Sequence, residues 1–190
     1  MKKRVMVVED ESITRMDIAM MLEDNGYEVV AQASNGEAAL EKAFLLEPDL
    51  IIMDIKMPKL NGLKASEIIS KRLHTPILIL TAYSQREYID RAKQANIMGY
   101  LVKPITEANL IPAVEIVLRQ AEHANSYREQ VQQMNKQLGN RKLIEKAKGI
   151  IMQKFNVSEN DAYKRMRKIS MNKQVTLEKV AKHIISKYDV

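Results

Sequence analysis

Five short apolar runs, separated by segments of helical length, constrain the fold of this 190-residue chain more than any other feature. The runs lie at residues 5–8, 28–31, 50–53, 77–80 and 100–102, and polar residues, glycine or proline bound each of them. Continuous runs of this kind are typical of strands that are buried on both faces. Strands that alternate with helices imply a parallel sheet with right-handed crossovers. We therefore predict a doubly wound α/β domain over residues 1–118.

The helices between these runs are predicted from apolar spacing and from capping sequences. Their apolar stripes are Ile18, Met21 and Leu22, then Ala39, Leu40 and Ala43, then Ala65, Ile68 and Ile69. Capping boxes that open at Ser34 and Ser84 predict the starts of the second and fourth helices. In the last helix of the domain, Pro112 favours a start at Asn109 rather than Thr106, or a kink. A proline deeper inside the helix would remove a backbone hydrogen bond.

Polar side chains follow four of the five runs, and they form the candidate site. Glu9 and Asp10 follow the first run, Asp54 the third, Thr81 the fourth and Lys103 the fifth. The carboxyl ends of parallel strands meet at one edge, where such sheets bind ligands. Three carboxylates repel one another unless a cation neutralises them, and a donor set of oxygens favours Mg²⁺. Ordinary loop polarity would explain any one of these residues, but it does not explain four strand ends together.

The same residues suggest phosphoryl chemistry. An aspartate at such a site can act as a nucleophile and form an aspartyl phosphate, which makes Asp54 the candidate phosphoacceptor. Lys103 would balance charge on the phosphoryl oxygens, and the hydroxyl of Thr81 could donate a hydrogen bond to one of them. We expect no enzymatic activity beyond self-phosphorylation and slow self-dephosphorylation.

In order and spacing, these motifs resemble the receiver domain of bacterial two-component response regulators. The resemblance covers about residues 1–120 and rests on Glu9-Asp10, Asp54-Ile55-Lys56-Met57-Pro58, Asn61-Gly62, Thr81-Ala82 and Lys103-Pro104. It implies a flavodoxin-like strand order of 2-1-3-4-5 and phosphorylation of Asp54 by the phosphohistidine of a sensor histidine kinase.

The resemblance also implies roles for individual residues. Mg²⁺ would be bound by Glu9, Asp10, Asp54 and the backbone carbonyl of Lys56, and the Lys103-Pro104 bond would be cis. Thr81 and Tyr100 match a pair of switch residues. For Tyr100, ordinary strand packing is an equal alternative.

A helical connector is predicted over residues 119–139. Val117, Ala124, Val131 and Leu138 recur every seven residues, with companions Val114, Ala121, Arg128 and Asn135 and with Tyr127 and Met134 at the flanks. This modest heptad pattern predicts a parallel coiled-coil dimer. The alternative is a single helix that lies on its own domain. Gly139-Asn140 predicts the end of the helix.

Charge is divided unevenly along the chain. Residues 1–118 carry 14 Lys and Arg against 17 Asp and Glu, whereas residues 119–190 carry 16 against 7. A basic C-terminal part indicates a module that binds a polyanion, although a solvated helix face is the alternative. The chain has no cysteine, no apolar run long enough to span a membrane and no secretion signal at its start. These features lead us to expect a cytoplasmic protein.

Residues 140–190 are predicted to form a bundle of three short helices. The apolar stripes are Ile144, Ala147, Ile151 and Phe155, then Ala162, Met166 and Ile169, then Leu177, Val180, Ala181 and Ile184. The second helix is predicted to start at the capping box of Ser158 and Asp161, and the third at Thr176. Opposite the stripes are the candidate nucleic-acid contacts Arg141, Lys142, Lys146, Lys148, Lys164, Arg165, Arg167 and Lys168.

This region is similar to the ANTAR domain of bacterial transcription antiterminators. The similarity spans about residues 135–187 and rests on Ile144-Glu145, Ala147-Lys148-Gly149, Ala162-Tyr163, Met166-Arg167 and Val175-Thr176-Leu177. Ser170 departs from the family, which more often has alanine there. The resemblance implies that a dimer, formed on phosphorylation, binds leader RNA with two small hairpins. Within the family, the regulators of ethanolamine utilisation are the suggested match. A DNA-binding response regulator and a phosphorylation-controlled protein-interaction module stay open as alternatives.

Overall fold

The computed structural model describes residues 2–82 and 96–188, and the chain divides into two compact units, Met1–Asn125 and Ser126–Val190. In the first unit, a five-stranded sheet contains β1 (Arg4–Val8), β2 (Glu28–Ala33), β3 (Leu50–Asp54), β4 (Ile77–Thr81) and β5 (Ile97–Val102). All four neighbouring pairs are parallel, and the strand order is 2-1-3-4-5, which confirms the predicted architecture. The predicted fourth helix and its capping box at Ser84 lie outside the described residues.

Helices cover both faces of the sheet. They are α1 (Ser12–Asp24), α2 (Gly36–Leu46), α3 (Gly62–Ser70) and the start of α4 (Glu107–Phe155). Successive side chains of a strand point to opposite faces. In β1, Met6 packs with α2 and α3, whereas Val7 packs with α1 and α4. Burial on both faces explains the continuous apolar runs of β1, β3 and β4, whereas the edge strands β2 and β5 are only partly buried.

The helix α2 (Gly36–Leu46) begins one residue later than predicted. The side chain of Asn35, not that of Ser34, caps the helix by accepting a hydrogen bond of 3.0 Å from the backbone N–H of Ala38. The Ser34 capping box is therefore wrong. Asparagine and serine are comparably good caps, and packing selects between such neighbours. Here the N–H of Gly36, the next residue, bonds to the carbonyl of Leu60 at 3.1 Å.

The predicted later start of α4, with Asn109 as its cap, is also wrong, because the helix begins at Glu107 with Pro112 inside it. The alternative, a kink at Pro112, stays a prediction. The backbone N–H of Leu110 donates to the carbonyl of Thr106 at 2.9 Å. The side chain of Asn109 accepts from the N–H of Thr106 at 3.0 Å. This local bonding stabilises the earlier start and offsets the hydrogen bond that Pro112 removes.

The predicted helix end at Gly139-Asn140 is wrong as well, since α4 continues without a break to Phe155. Glycine inside a helix costs only about 1 kcal/mol relative to alanine, so neighbouring helix formers can carry the helix across it. The helix ends where Asn156 adopts a left-handed backbone with φ of 49°. Asparagine tolerates this conformation better than most residues.

The second unit is the predicted three-helix bundle, made of the end of α4, α5 (Glu159–Lys173) and α6 (Leu177–Tyr188). As predicted, Ser158 caps α5 by accepting from the backbone N–H of Asp161. The core consists of Ala147, Ile151, Ala162, Met166, Val180, Ala181 and Ile184. Phe155 and Ile169, which we predicted to be in the core, are 47% and 39% exposed. In α5 the buried residues are Ala162 and Met166, so its buried stripe is narrow, and Phe155 is the last residue of α4.

Within the described residues, the structure contains no helix that is both long enough and apolar enough to cross a membrane.

Candidate functional site

The first unit brings the predicted polar residues together at the carboxyl edge of its sheet. Glu9 and Asp10 follow β1, and Asp54 is the last residue of β3. Thr81 ends β4, and its carbonyl accepts a hydrogen bond of 2.9 Å from the backbone N–H of Lys103. The parallel register therefore places all four strand ends at one level.

Three carboxylates form the centre of this site. Glu9, Asp10 and Asp54 each offer an oxygen, and the three oxygens lie within 4.8 Å of one another. Glu9 and Asp54 are buried, whereas Asp10 is exposed. An all-oxygen set with one open side fits Mg²⁺, which retains several waters and binds through a few carboxylates.

Lys103 reaches this cluster from β5. Its Nζ lies 2.7 Å from Oε2 of Glu9 and 3.3 Å from Oδ1 of Asp54. The peptide bond between Lys103 and Pro104 is cis, as the resemblance implies. One ammonium against three carboxylates leaves the cluster with an excess of negative charge, which a divalent cation would neutralise.

The electrostatics of the cluster agree with this conclusion. Burial raises the pKa of Glu9 and the pKa of Asp54, and the attraction of Lys103 only partly offsets it. Burial disfavours the charge of Lys103, but its bonds to Glu9 and Asp54 outweigh burial and raise the pKa of Lys103. The two buried carboxylates would be stabilised in their charged form by a further cation.

Gly62 allows the loop after Asp54 to fold closely over the site. A Cβ atom at Gly62 would collide with the carbonyl oxygen of Asp54. The N–H of Gly62 donates to the carbonyl of Ile55 at 3.0 Å, and Asn61 caps α3 through the N–H of Lys64. The close packing of this loop therefore explains why glycine follows Asn61 in a motif that also resembles that of the family.

One contact at the site was not foreseen from the sequence. Arg15 of α1 donates from Nη1 to the backbone carbonyl of Glu9 at 2.6 Å. The bond fixes the chain next to the acidic pair. The position of Arg15, one turn into the first helix, is a weak sequence signal that could have suggested this contact.

The two candidate switch residues lie on neighbouring strands. Thr81 is buried at the end of β4, and Tyr100 of β5 pairs in register with Ile79. The side chain of Tyr100 is 56% exposed, so its surroundings are not those of a core residue. Lys56, the candidate carbonyl ligand, lies exposed two residues after Asp54.

The second unit presents the predicted cations at its surface, with one exception. The exposed members are Arg141, Lys142, Lys146, Lys164, Arg165, Arg167 and Lys168. Lys148 is only 8% exposed, and its Nζ lies 2.8 Å from Glu145 and 2.6 Å from Glu159. The expected exposure of Lys148 is wrong, because the start of α5 places Glu159 against it. These bonds raise the pKa of Lys148 and lower the pKa of Glu159.

Two protein families match the two parts of the chain. The response regulator receiver domain matches residues 5–115, and the ANTAR domain matches residues 132–185. Transcriptional regulatory protein PdtaR of Mycobacterium tuberculosis is 42% identical over 184 residues, which cover 96% of this chain and 89% of that protein.

Other similar proteins and structures cover a smaller share of the chain. Chemotaxis protein CheY of Thermotoga maritima is 35% identical over 118 residues, covering 62% of this chain and 98% of that protein. The crystal structure of a CheY-like receiver domain protein from Methanospirillum hungatei has a TM-score of 0.61 and 26% identity, and it covers 65% of this chain and 99% of that one.

Proposed function

Because the chain belongs to the response regulator receiver family and carries an ANTAR domain, known for binding RNA, we propose that it is a phosphorylation-controlled transcription antiterminator. In this proposal, phosphorylation of Asp54 favours a dimer that binds two hairpins of a nascent leader RNA. The observation that carries it is the presence, in one chain, of the Lys103–carboxylate cluster and a cationic three-helix unit.

The chemistry at the first site follows from its side chains. A carboxylate oxygen of Asp54 attacks phosphorus of a phosphohistidine, so that an O–P bond forms while the P–N bond breaks. The ammonium of Lys103 balances charge on the phosphoryl oxygens, and the hydroxyl of Thr81 donates to one of them. Mg²⁺, held by Glu9, Asp10, Asp54 and the carbonyl of Lys56, would supply charge neutralisation. Attack by water reverses the modification slowly, and we propose no activity on other substrates.

A receiver domain implies a phosphodonor such as a histidine kinase, and α1 offers a surface for one. Ile13, Met16 and Met20 are 57–71% exposed at helical spacing, although they are apolar. The helix begins two residues after Asp10, so a partner on this stripe would reach the phosphoacceptor. We expect Met16→Glu to slow phosphorylation by the kinase and to leave phosphorylation by acetyl phosphate, which needs no docking, unchanged.

The proposed dimer would form along the middle of α4. Val114, Val117 and Ala121 are buried within the first unit, so this part of the heptad pattern packs on its own domain. Further along, Tyr127, Val131, Met134 and Leu138 are 55–66% exposed at intervals of four, three and four residues. Such spacing is that of a coiled-coil seam, and a second copy of the chain would cover it.

Control by phosphorylation would pass from the site to α4 through β4 and β5. Thr81 is buried beside the cluster, and Tyr100 lies on the adjacent strand with an exposed ring. Drawing the hydroxyl of Thr81 toward a phosphoryl group would favour a second position of Tyr100. This change would shift the population toward the dimer.

The proposal is tested by RNA binding with and without phosphorylation. We expect acetyl phosphate and Mg²⁺ to tighten binding of the wild-type protein to two-hairpin RNA and to leave the Asp54→Ala variant unaffected. Equal RNA affinities of both proteins in both conditions would show that phosphorylation does not control RNA binding. Promoter duplex bound more tightly than RNA at matched salt would instead favour a DNA-binding regulator. The cytoplasmic location and the link to ethanolamine utilisation stay predictions.

A further inference from the structure

The three helices of the second unit each contribute to a cluster of aromatic and cationic side chains. Phe155 ends α4 and Tyr188 ends α6, and their rings meet edge to face with centroids 6.4 Å apart and planes at 87°. Tyr188 is partly buried against the core of the bundle, whereas Phe155 is 47% exposed. One ring is therefore anchored in the bundle while the other presents a large apolar surface to solvent.

Two cations lie close to the ring of Tyr188, and one lies close to the ring of Phe155. Nζ of Lys154 lies 4.0 Å from the centroid of Tyr188, and Nζ of Lys187 lies 5.3 Å from the same point. Cζ of Arg165, from α5, lies 5.5 Å from the centroid of Phe155. Among the salt bridges of the residues that the structure describes, none involves these three cations. Their positive charge is thus placed beside exposed π surface.

This combination matches the chemistry of an unpaired nucleotide. A base freed from its helix stacks on aromatic side chains or on a guanidinium plane, while its flanking phosphates need cations nearby. A surface that bound phosphate alone would need no aromatic rings. A peptide of acidic residues alone would satisfy the cations but not the ring of Phe155.

We propose that Phe155 and Tyr188, together with Lys154, Lys187 and Arg165, form a stacking site for one unpaired base of the bound RNA. This inference rests on the proposed RNA-binding function and adds to it the location and the chemistry of a base contact. The exposed ring of Phe155 provides the stacking surface, and Tyr188 holds that ring in place through their edge-to-face contact. The cations hold the phosphates on either side of the base.

The test uses the full-length chain with acetyl phosphate and Mg²⁺. A pool of RNAs with two hairpins and randomised loops is first selected for binding, and the best RNA then carries 2-aminopurine at each loop position in turn. We expect one position to change fluorescence on binding wild-type protein. Phe155→Leu and Tyr188→Leu should abolish that change and weaken binding about 5- to 100-fold.

Salt dependence separates stacking from charge. Phe155→Leu should leave the slope of log affinity against log salt unchanged, whereas Lys154→Gln should reduce its magnitude by about 0.7. Phe44→Leu is the matched control, because Arg72 lies 5.4 Å from the centroid of that ring in the first unit. This control should leave RNA binding unchanged. Circular dichroism of each variant reports whether the bundle remains folded.

The outcomes distinguish this inference from the function on which it rests. If no RNA is selected, RNA binding itself fails. If RNA binds and folded Phe155→Leu and Tyr188→Leu variants retain both affinity and fluorescence change, the stacking site is refuted and the function stands. If polyglutamate binds as tightly as RNA and loses affinity with the same variants, the cluster is a docking site for acidic proteins.

Discussion

Two lysines of this chain each bond to two carboxylates, and their surroundings give them different roles. Lys103 meets Glu9 and Asp54, both of them buried. Lys148 meets Glu145 and Glu159, which are exposed and belong to two successive helices. Buried carboxylates beside a lysine retain a strong need for positive charge, whereas exposed ones are already solvated. The cluster around Lys103 therefore favours the binding of a further cation, whereas the bonds of Lys148 mainly join α4 to α5.

Replacing the phosphoacceptor tests the electrostatic cost of its burial. Because the pKa of Asp54 is raised in the folded protein, its charged form opposes folding, and stability falls as the pH rises through that pKa. We expect Asp54→Asn to raise the thermal midpoint of the metal-free protein at pH 7 by roughly 3–5 °C. The gain should shrink as the pH approaches 3.8, the ordinary pKa of the group.

Mg²⁺ supplies the complementary measurement. It should raise the midpoint of the wild-type protein more than that of Asp54→Asn, since the variant lacks one anionic ligand. Lys64→Met removes an exposed charge in the first turn of α3 and should behave as the wild type does. An equal Mg²⁺ effect on wild type and Asp54→Asn would exclude Asp54 as a ligand.

Substitutions of Lys148 and Arg167 should have different effects, the first on thermal stability and the second on RNA binding. We expect Lys148→Met to lower the thermal midpoint of the protein by a few degrees and to leave the salt dependence of RNA binding unchanged. Arg167→Met, at an exposed position, should reduce the slope of log RNA affinity against log salt concentration by about 0.7 in magnitude and leave the thermal midpoint unchanged.

The stabilising effect of Lys148 should depend on pH in a defined direction. Its bond lowers the pKa of Glu159, so the stabilisation is present above the ordinary value of 4.5 and is lost as the pH falls through the lowered pKa. The midpoints of wild type and Lys148→Met should therefore converge in acid. A difference that persists undiminished below that pKa would show that lost packing, rather than lost charge, destabilises the variant.

At the scale of elements, the sequence predicts the strands and helices that follow from apolar periodicity. It misses the helix boundaries that depend on local hydrogen bonds. The strands follow from runs such as Leu50–Asp54, because burial on both faces leaves an unbroken apolar pattern. The strand ends then place the site. Helix boundaries are different, since Asn35 and Ser34 are both good caps and only contacts made in the folded chain select between them. The exposure of Phe155 likewise depends on where its partner helices end.

Two glycines illustrate this difference, and they predict opposite effects of one substitution. Gly62→Ala should destabilise the first unit by about 1–3 kcal/mol, because the added methyl group would collide with the carbonyl of Asp54. Gly139 lies exposed within α4 with nothing within 4 Å of an added Cβ atom. Gly139→Ala should therefore stabilise the helix by about 0.5–1 kcal/mol. Denaturant unfolding followed by circular dichroism measures both, and a destabilised Gly139→Ala would argue against a continuous α4.

At the scale of the molecule, α4 runs from the first unit into the second, and in its middle the apolar side chains of Tyr127, Val131, Met134 and Leu138 are exposed within the described residues. The heptad pattern predicts an apolar stripe along α4. It does not predict that the first part of the stripe is buried while the later part is exposed. Val117 is buried in the first unit, whereas Val131 is exposed. Sequence periodicity alone cannot tell a face that packs on its own domain from one that packs on a second copy, because both require the same spacing.

The exposed seam of α4 predicts how dimerisation and RNA binding depend on each other. Val131→Glu together with Leu138→Glu should weaken the phosphorylated dimer at least tenfold in sedimentation experiments, because charges in a coiled-coil seam lose hydration on association. Gln133→Glu adds a charge on the opposite side of the helix and is the matched control. Two linked sites gain affinity through effective concentration, so the double variant should bind two-hairpin RNA about 100-fold or more weakly and single-hairpin RNA nearly as well as wild type. Equal losses on both RNAs would mean that the seam acts within one chain rather than between two.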